Sequence, residues 1–77
     1  MLIAYSVGRF IIVALDRKAG KLTLSLRDRQ DNLIATYRFN DTDFEKLEID
    51  TSESIILMEI DIDGQKSIRK IYLSVKK

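Results

Sequence analysis

The chain has 77 residues, 45% of them apolar and 32% charged, and a formal net charge of +1 at pH 7. It contains no cysteine, which excludes disulfides and thiolate sites, and no histidine, the commonest general base and metal ligand. Its longest apolar run is six residues, far below the roughly 20 that span a bilayer, and its start lacks the features of a signal peptide. We therefore expect one folded cytoplasmic domain over residues 1–77.

Charge is distributed unevenly along this chain. Residues 1–40 carry seven basic and three acidic side chains, residues 41–63 carry one basic and nine acidic, and residues 64–77 carry five basic and none acidic. Such blocks are typical either of separate binding faces or of neighbouring strands whose charges neutralise each other. We favour the second interpretation, because opposite charges across strands are ordinary sheet chemistry.

The first half of the chain predicts three extended segments. Residues 2–15 form one long strand bent near Gly8, since glycine within a strand pattern marks a bulge or a tight bend, and residues 16–21 form a loop. Residues 22–28 and 33–39 alternate apolar and polar side chains, as half-buried antiparallel strands do. A tight turn at residues 31–32 sets Leu26 opposite Tyr37 and Leu24 opposite Phe39.

In residues 40–50 the two-residue alternation of apolar and polar side chains ends, and the pattern predicts one short helix. Thr42 followed by Glu45 fits a capping box, and Phe44 and Leu47 would share one helix face. A helix of about six residues needs packing to persist. The alternative for the end of this segment is a short strand.

The last third predicts a hairpin of residues 54–62 and 66–75 around Asp63–Gly64, a strong two-residue turn signal. This register opposes Asp61 with Lys66, Ile56 with Ile71, and Ile55 with Tyr72. One face is then a core face, with these members: Ile56, Met58, Ile60, Ile62, Ile71, Leu73 and Val75.

The resulting order is a long bent strand, two strands, a short helix and two strands. This order resembles that of an oligonucleotide/oligosaccharide-binding (OB) barrel, although no family motif accompanies it. The fold class we predict is mainly β with one short helix, as a small five-stranded antiparallel barrel. An SH3-like barrel or a small α+β sheet are the alternatives.

Two segments, residues 10–15 and 55–58, are apolar on both faces of their strands. If the strands are neighbours, the surplus faces merge into a patch of the size at which soluble proteins bind partners. We assign Phe10, Ile12, Ile55 and Leu57 to this interaction surface, for a partner protein or a second copy in a homodimer. On the first segment the pattern allows either face to be the free one, that of Phe10, Ile12 and Ala14 or that of Ile11, Val13 and Leu15. The opposing interpretation is that curling of the barrel, or the helix, buries the surplus.

Acidic and nucleophilic side chains do not form a catalytic pattern. Glu59, Asp61, Asp63 and Gly64 resemble the start of a calcium loop, but the twelfth position is Lys70 where a bidentate carboxylate is required. The acids of residues 41–45 fit helix capping better than acid/base work, and no histidine activates the serines. We expect no enzyme activity, no metal and no cofactor.

Single-stranded nucleic acid is the alternative partner. In an OB-like barrel, six cations would lie on one side, where they neutralise phosphates: Arg17, Lys18, Lys21, Arg27, Arg38 and Lys66. Exposed aromatic rings for base stacking are missing from this surface, since Tyr37 and Phe39 share the face of the leucines.

Overall fold

A computed structural model describes residues 2–51 and 53–73 and places them in one antiparallel sheet that curls into a half-barrel. Its strands are β1 (Leu2–Val7), β2 (Phe10–Arg27), β3 (Leu33–Glu48), β4 (Ile55–Ile62) and β5 (Gln65–Tyr72). Strand β3 pairs along one edge of β2, and β1 and β4 pair with the first and second halves of its other edge. Strand β5 pairs with β4 and contacts β1.

The predicted helix over residues 40–50 is wrong, because β3 continues as a strand to Glu48. The first half of β2 offers a ladder that residues 44–48 complete, and a helix of one or two turns is marginal by comparison. Thr42 and Glu45 do contact each other, with Thr42 Oγ1 donating to Glu45 Oε2 at 2.6 Å. They do so in an irregular stretch of strand beside Asp41, whose φ is 52°. The described residues therefore contain no helix. A helix long and apolar enough to cross a membrane is accordingly absent from this part of the chain.

Without that helix, the OB-like element order is not supported, and what holds of the predicted fold class is a small barrel-like sheet of five antiparallel strands. Phe44 and Leu47 share no face: Phe44 points outward and Leu47 is buried in the core. The two residues therefore do not cover the surplus apolar surface of the strands, as the predicted helix would have done.

The first predicted strand is a hairpin. Val7 pairs with Phe10 across a tight turn, in which Gly8 has a φ of 59° that suits glycine. The predicted loop over residues 16–21 is also wrong, since β2 continues through it to Arg27 with an irregularity between Ala14 and Ala19. The loop prediction fails because β3 pairs with both halves of β2, so β2 continues as one strand between them.

The last hairpin is confirmed, including the pairs Asp61–Lys66, Ile56–Ile71 and Ile55–Tyr72. Val75, expected on its core face, lies outside the described residues. The β2–β3 hairpin and its leucine face are confirmed too, but the register differs by two residues, with Leu24 opposite Tyr37 and Leu22 opposite Phe39. The connection spans residues 28–32, longer than a two-residue turn.

Asp28 organises the β2–β3 connection. Its Oδ1 accepts the backbone N–H groups of Gln30 and Asn32, each at 2.9 Å, and its Oδ2 accepts the Asn32 side-chain amide at 3.2 Å. These bonds, the Asn32 N–H above all, hold the pKa of the Asp28 carboxyl below its ordinary value of 3.8. The charged carboxylate therefore stabilises this connection.

This arrangement predicts a pH dependence. A carboxyl with a lowered folded-state pKa contributes its stabilisation fully above the unfolded-state value, near 3.8, and loses it as the pH falls through the folded-state pKa. We expect Asp28→Asn to lower the urea midpoint at neutral pH and to reduce its fall in strong acid. Asp31→Asn, a change in the same turn, should leave that acid-induced fall intact. Parallel acid titrations of the two variants would contradict this prediction.

The core lies between the inner faces of the curled sheet. Both halves of β2 contribute to it, as do β4 and the end of β5, and its fully buried large side chains are Ile11, Val13, Leu22, Leu24, Leu26, Ile56, Met58 and Ile60. Within each half of β2, and in β4, every second residue therefore points inward, and the intervening residues form an outer surface. The candidate site lies on this outer surface.

Candidate protein interface

An apolar surface covers the outer side of the sheet where β1, the first half of β2 and the end of β3 lie side by side. Cross-strand pairing sets three rows of outward side chains: Ile3–Ala14–Phe44, Tyr5–Ile12–Lys46 and Val7–Phe10–Glu48. Seven of these nine positions are apolar. We call these seven the outer apolar face: Ile3, Tyr5, Val7, Phe10, Ile12, Ala14 and Phe44.

Most of this face is open to solvent. Ile3, Tyr5, Val7 and Phe44 are 48% to 57% exposed, although each is a large apolar or aromatic side chain, and only Ile12 at the centre is buried, at 8%. Neither neighbour of β1 covers its outward side, since among residues 2–51 and 53–73 the only strands that β1 contacts are β2 and β5. The face thus lacks a second layer within the described chain.

The two charged positions adjoin this face at its β3 side. The Lys46 ammonium lies 4.3 Å from the centroid of the Phe10 ring, a cation–π contact that holds the amine over the aromatic surface. Glu48 lies two residues further along the same side of β3, opposite Phe10. One border of the face therefore carries one positive and one negative charge.

Of the residues assigned from the sequence, Phe10 and Ile12 belong to this face, whereas Ile55 and Leu57 are half-buried on the outer side of β4. The link between the two pairs passes through β5. Tyr72, 65% exposed, lies opposite Ile55 and lines with Tyr5 a shallow groove of about 250 Å³ between β1 and β5. Strand β5 therefore separates Ile55 and Leu57 from the outer apolar face.

Four of the seven members were not predicted from the sequence, namely Ile3, Tyr5, Val7 and Phe44. A signal for the first three was present: both the odd and the even positions of residues 2–7 are largely apolar. Phe44 was lost because the segment was interpreted as a helix. In β1, Leu2 and Ala4 face the core, whereas Ile3 and Tyr5 face outward.

Four of the six cations proposed for nucleic acid lie on the outer side of the sheet: Lys21, Arg27, Arg38 and Lys66. Arg17 lies apart from them and lines a cleft of about 310 Å³ that Lys66 also borders. Lys18 is exposed near Arg17 on β2.

Acids lie among these cations. Asp61 stands between Thr23 and Lys66 in the row that starts at Arg38, and Arg27 Nε is 3.8 Å from Asp31 Oδ1. The positive field is therefore divided and partly neutralised at close range.

The acids of the calcium-like stretch act on backbone groups. Asp63 Oδ1 accepts Lys21 N–H at 2.9 Å, Asp63 N–H donates to the Lys21 carbonyl at 3.0 Å, and Asp61 Oδ1 accepts Gly64 N–H at 2.8 Å. Among the described residues, no group of three or more acidic side chains is placed to hold a metal ion. The Asp63 carboxylate therefore fastens the β4–β5 turn to β2, and the Asp61 carboxylate stabilises the turn itself.

Asp63→Ala should destabilise the protein by about 1–2 kcal/mol, because it removes a hydrogen bond to Lys21 and places alanine at a φ of 51°. Asp63→Gly accepts that φ and isolates the loss of the carboxylate, at about 1 kcal/mol. Urea unfolding of both variants measures the two contributions. A wild-type midpoint for Asp63→Ala would show that the turn is not fastened this way.

No protein-family model, curated protein or solved structure matches this chain. A function for this protein is therefore inferred from the chemistry of its own surfaces.

Proposed function

We propose that this protein is a non-catalytic protein-interaction module that docks a partner protein, in the simplest case a second copy of itself, on the outer apolar face. The observation that carries the proposal is that four large side chains of this face stand about half exposed in adjacent rows. Isolated exposed apolar residues are normal on a protein surface, but a contiguous group is typical of a binding surface.

The size of the face supports a weak, reversible complex. Three strands about 4.8 Å apart, with three outward positions about 6.7 Å apart on each, give a footprint on the order of 300 Å². This is comparable with the largest apolar patch of a typical monomer, and below the roughly 800 Å² per partner of a stable interface. Contacts around the Tyr5–Tyr72 groove would add to that area.

A second copy is the occupant that the charges favour. A symmetric dimer uses one patch on both partners, so the patch must be complementary to itself. The border of the face carries Lys46 and Glu48, charges of opposite sign, which two-fold symmetry can set against each other. A partner of strong net charge would gain little electrostatic attraction from this border, because its two charges cancel.

Sedimentation velocity over about 10 µM to 1 mM, a range that brackets a weak complex, tests the proposal. We expect the weight-average sedimentation coefficient to rise with concentration. We also expect the rise to persist at high salt, because apolar burial supplies the affinity and salt screens only charges. A monomer throughout this range would overturn self-association through the face.

A further inference from the structure

Strand β3 has a free edge along its whole length. It is 16 residues long and pairs only with β2, and within the described chain it contacts no other strand. Backbone N–H and C=O groups on its outer edge therefore have no ladder partner. Such an edge is a ready template for another strand.

Charge divides this edge into two unlike halves. Residues 41–48 carry four acids and Lys46, whereas residues 33–40 carry only Arg38. The boundary falls at Asp41, whose φ of 52° interrupts the regular strand. Charged side chains and irregular backbone are devices that protect an edge from pairing, and the first half has few of them.

Side chains on the first half are also incompletely covered. Tyr37 and Phe39 face the core side but remain half-buried, and their rings stack at 6.5 Å between centroids with an interplanar angle of 5°. Only the side of each ring that faces β2 is covered, since β2 is the one strand of the described chain that contacts β3. An additional strand on the edge would cover both rings.

We propose that residues 35–39 of β3 pair antiparallel with the same residues of a second copy, about a two-fold axis at Tyr37. This interface goes beyond the proposed function, because it uses the backbone edge rather than the outer apolar face. Ala35 then lies opposite Phe39 of the second copy, and Thr36 lies opposite its Arg38. Inward side chains meet inward ones, and outward meet outward, as antiparallel pairing requires.

The two neighbouring registers are less favourable. A shift in one direction sets Arg38 directly opposite Arg38 of the second copy, and like charges in that position are destabilising. A shift in the other direction draws Ile34 into the ladder, where β3 already has an irregularity between Leu33 and Ala35 against β2. The register centred on Tyr37 avoids both problems.

Single cysteines can test this register because the chain has none of its own. A protein with Thr36→Cys is mixed under a glutathione redox buffer with a mass-tagged protein carrying Arg38→Cys, and both also carry Tyr5→Lys to disable the outer apolar face. Opposite residues have Cα atoms about 4.5–5.5 Å apart, within disulfide range. Two copies of residue 36 would be diagonal neighbours at about 7–8 Å, beyond that range.

The expected result is a mixed disulfide several-fold more abundant than either homodimer on a non-reducing gel. A matched control replaces Thr36→Cys with Ser25→Cys, since Ser25 lies opposite Thr36 on the same side but one strand inside the edge. The proposal is overturned if the mixed disulfide is no more abundant than in this control. It is also overturned if the Thr36→Cys homodimer predominates. Failure of the outer apolar face is scored separately, because the cross-linking uses proteins in which that face is already disabled.

Discussion

Replacing Leu24 by alanine is expected to destabilise the protein by about 3–5 kcal/mol, the range for a fully buried leucine whose site cannot collapse. Leu24 has no solvent exposure and lies at the centre of the second half of β2, flanked by Tyr37 on β3 and Ile60 on β4. Backbone pairing on both sides fixes its strand, so the neighbours cannot move in to fill the space. A domain of this length has roughly 4–12 kcal/mol in total.

Urea unfolding followed by circular dichroism measures this loss. Ser25→Ala is the matched control, because Ser25 is the next residue on the same strand and points outward, and we expect a change within about 0.5 kcal/mol. A Leu24→Ala protein with the midpoint of the control would mean that the inner face of β2 is not the core.

Replacing Tyr5 by lysine should weaken self-association by at least about 30-fold, which corresponds to roughly 2 kcal/mol. Tyr5 lies in the middle row of the outer apolar face and also lines the groove toward Tyr72, so its ring is placed to be covered on docking. Lysine there would have to lose its hydration against apolar side chains without a partner charge. The measurement is the concentration dependence of the sedimentation coefficient.

Ile68→Lys is the matched control for that substitution. Ile68 is 69% exposed on a strand, like Tyr5, but it lies on β5 opposite Glu59 and outside the outer apolar face. We expect it to associate as the wild type does, and we expect both variants to keep the wild-type urea midpoint to within about 1 kcal/mol. Equal association by Tyr5→Lys and wild type would refute docking on this face.

The two substitutions separate folding from binding in one small chain. Leu24 and Tyr5 are both apolar residues in strands, yet one is fully buried and the other about half exposed. If the outer apolar face binds a partner, the protein tolerates Tyr5→Lys as a monomer and does not tolerate Leu24→Ala. If that face instead completes the core, Tyr5→Lys would unfold the chain as well.

Local patterns predicted the last hairpin well. Asp63–Gly64 accepts the positive φ values of a two-residue turn, 51° and 94°, and a two-residue turn leaves one register for the strands that follow. The β2–β3 hairpin shows the limit of the same reasoning. Its faces follow from alternation, but its register follows from a connection built on Asp28, and hydrogen bonds between residues 28 and 32 were not visible in the pattern.

The segment from Thr42 to Leu47 shows how a neighbour overrides a local signal. Thr42 and Glu45 suit a helix start, and they form their side-chain hydrogen bond, but β2 supplies a continuous ladder for residues 44–48. Long-range backbone pairing stabilises those residues more than a short helix does. Phe44 consequently moves from an expected internal contact to the outer apolar face.

The sequence by itself determined that residues 10–15 and 55–58 carry apolar side chains on both faces of their strands, because alternation and its interruption are local properties of a strand. It also determined the core faces of β4 and β5 and the absence of cysteine and histidine chemistry. Only the tertiary structure decided that Ile3, Tyr5 and Val7 join Phe10 and Ile12, while β5 separates Ile55 and Leu57 from them. The reason is physical: which strands become neighbours depends on pairing between residues far apart in the chain, and that pairing is decided by the packing of the whole core.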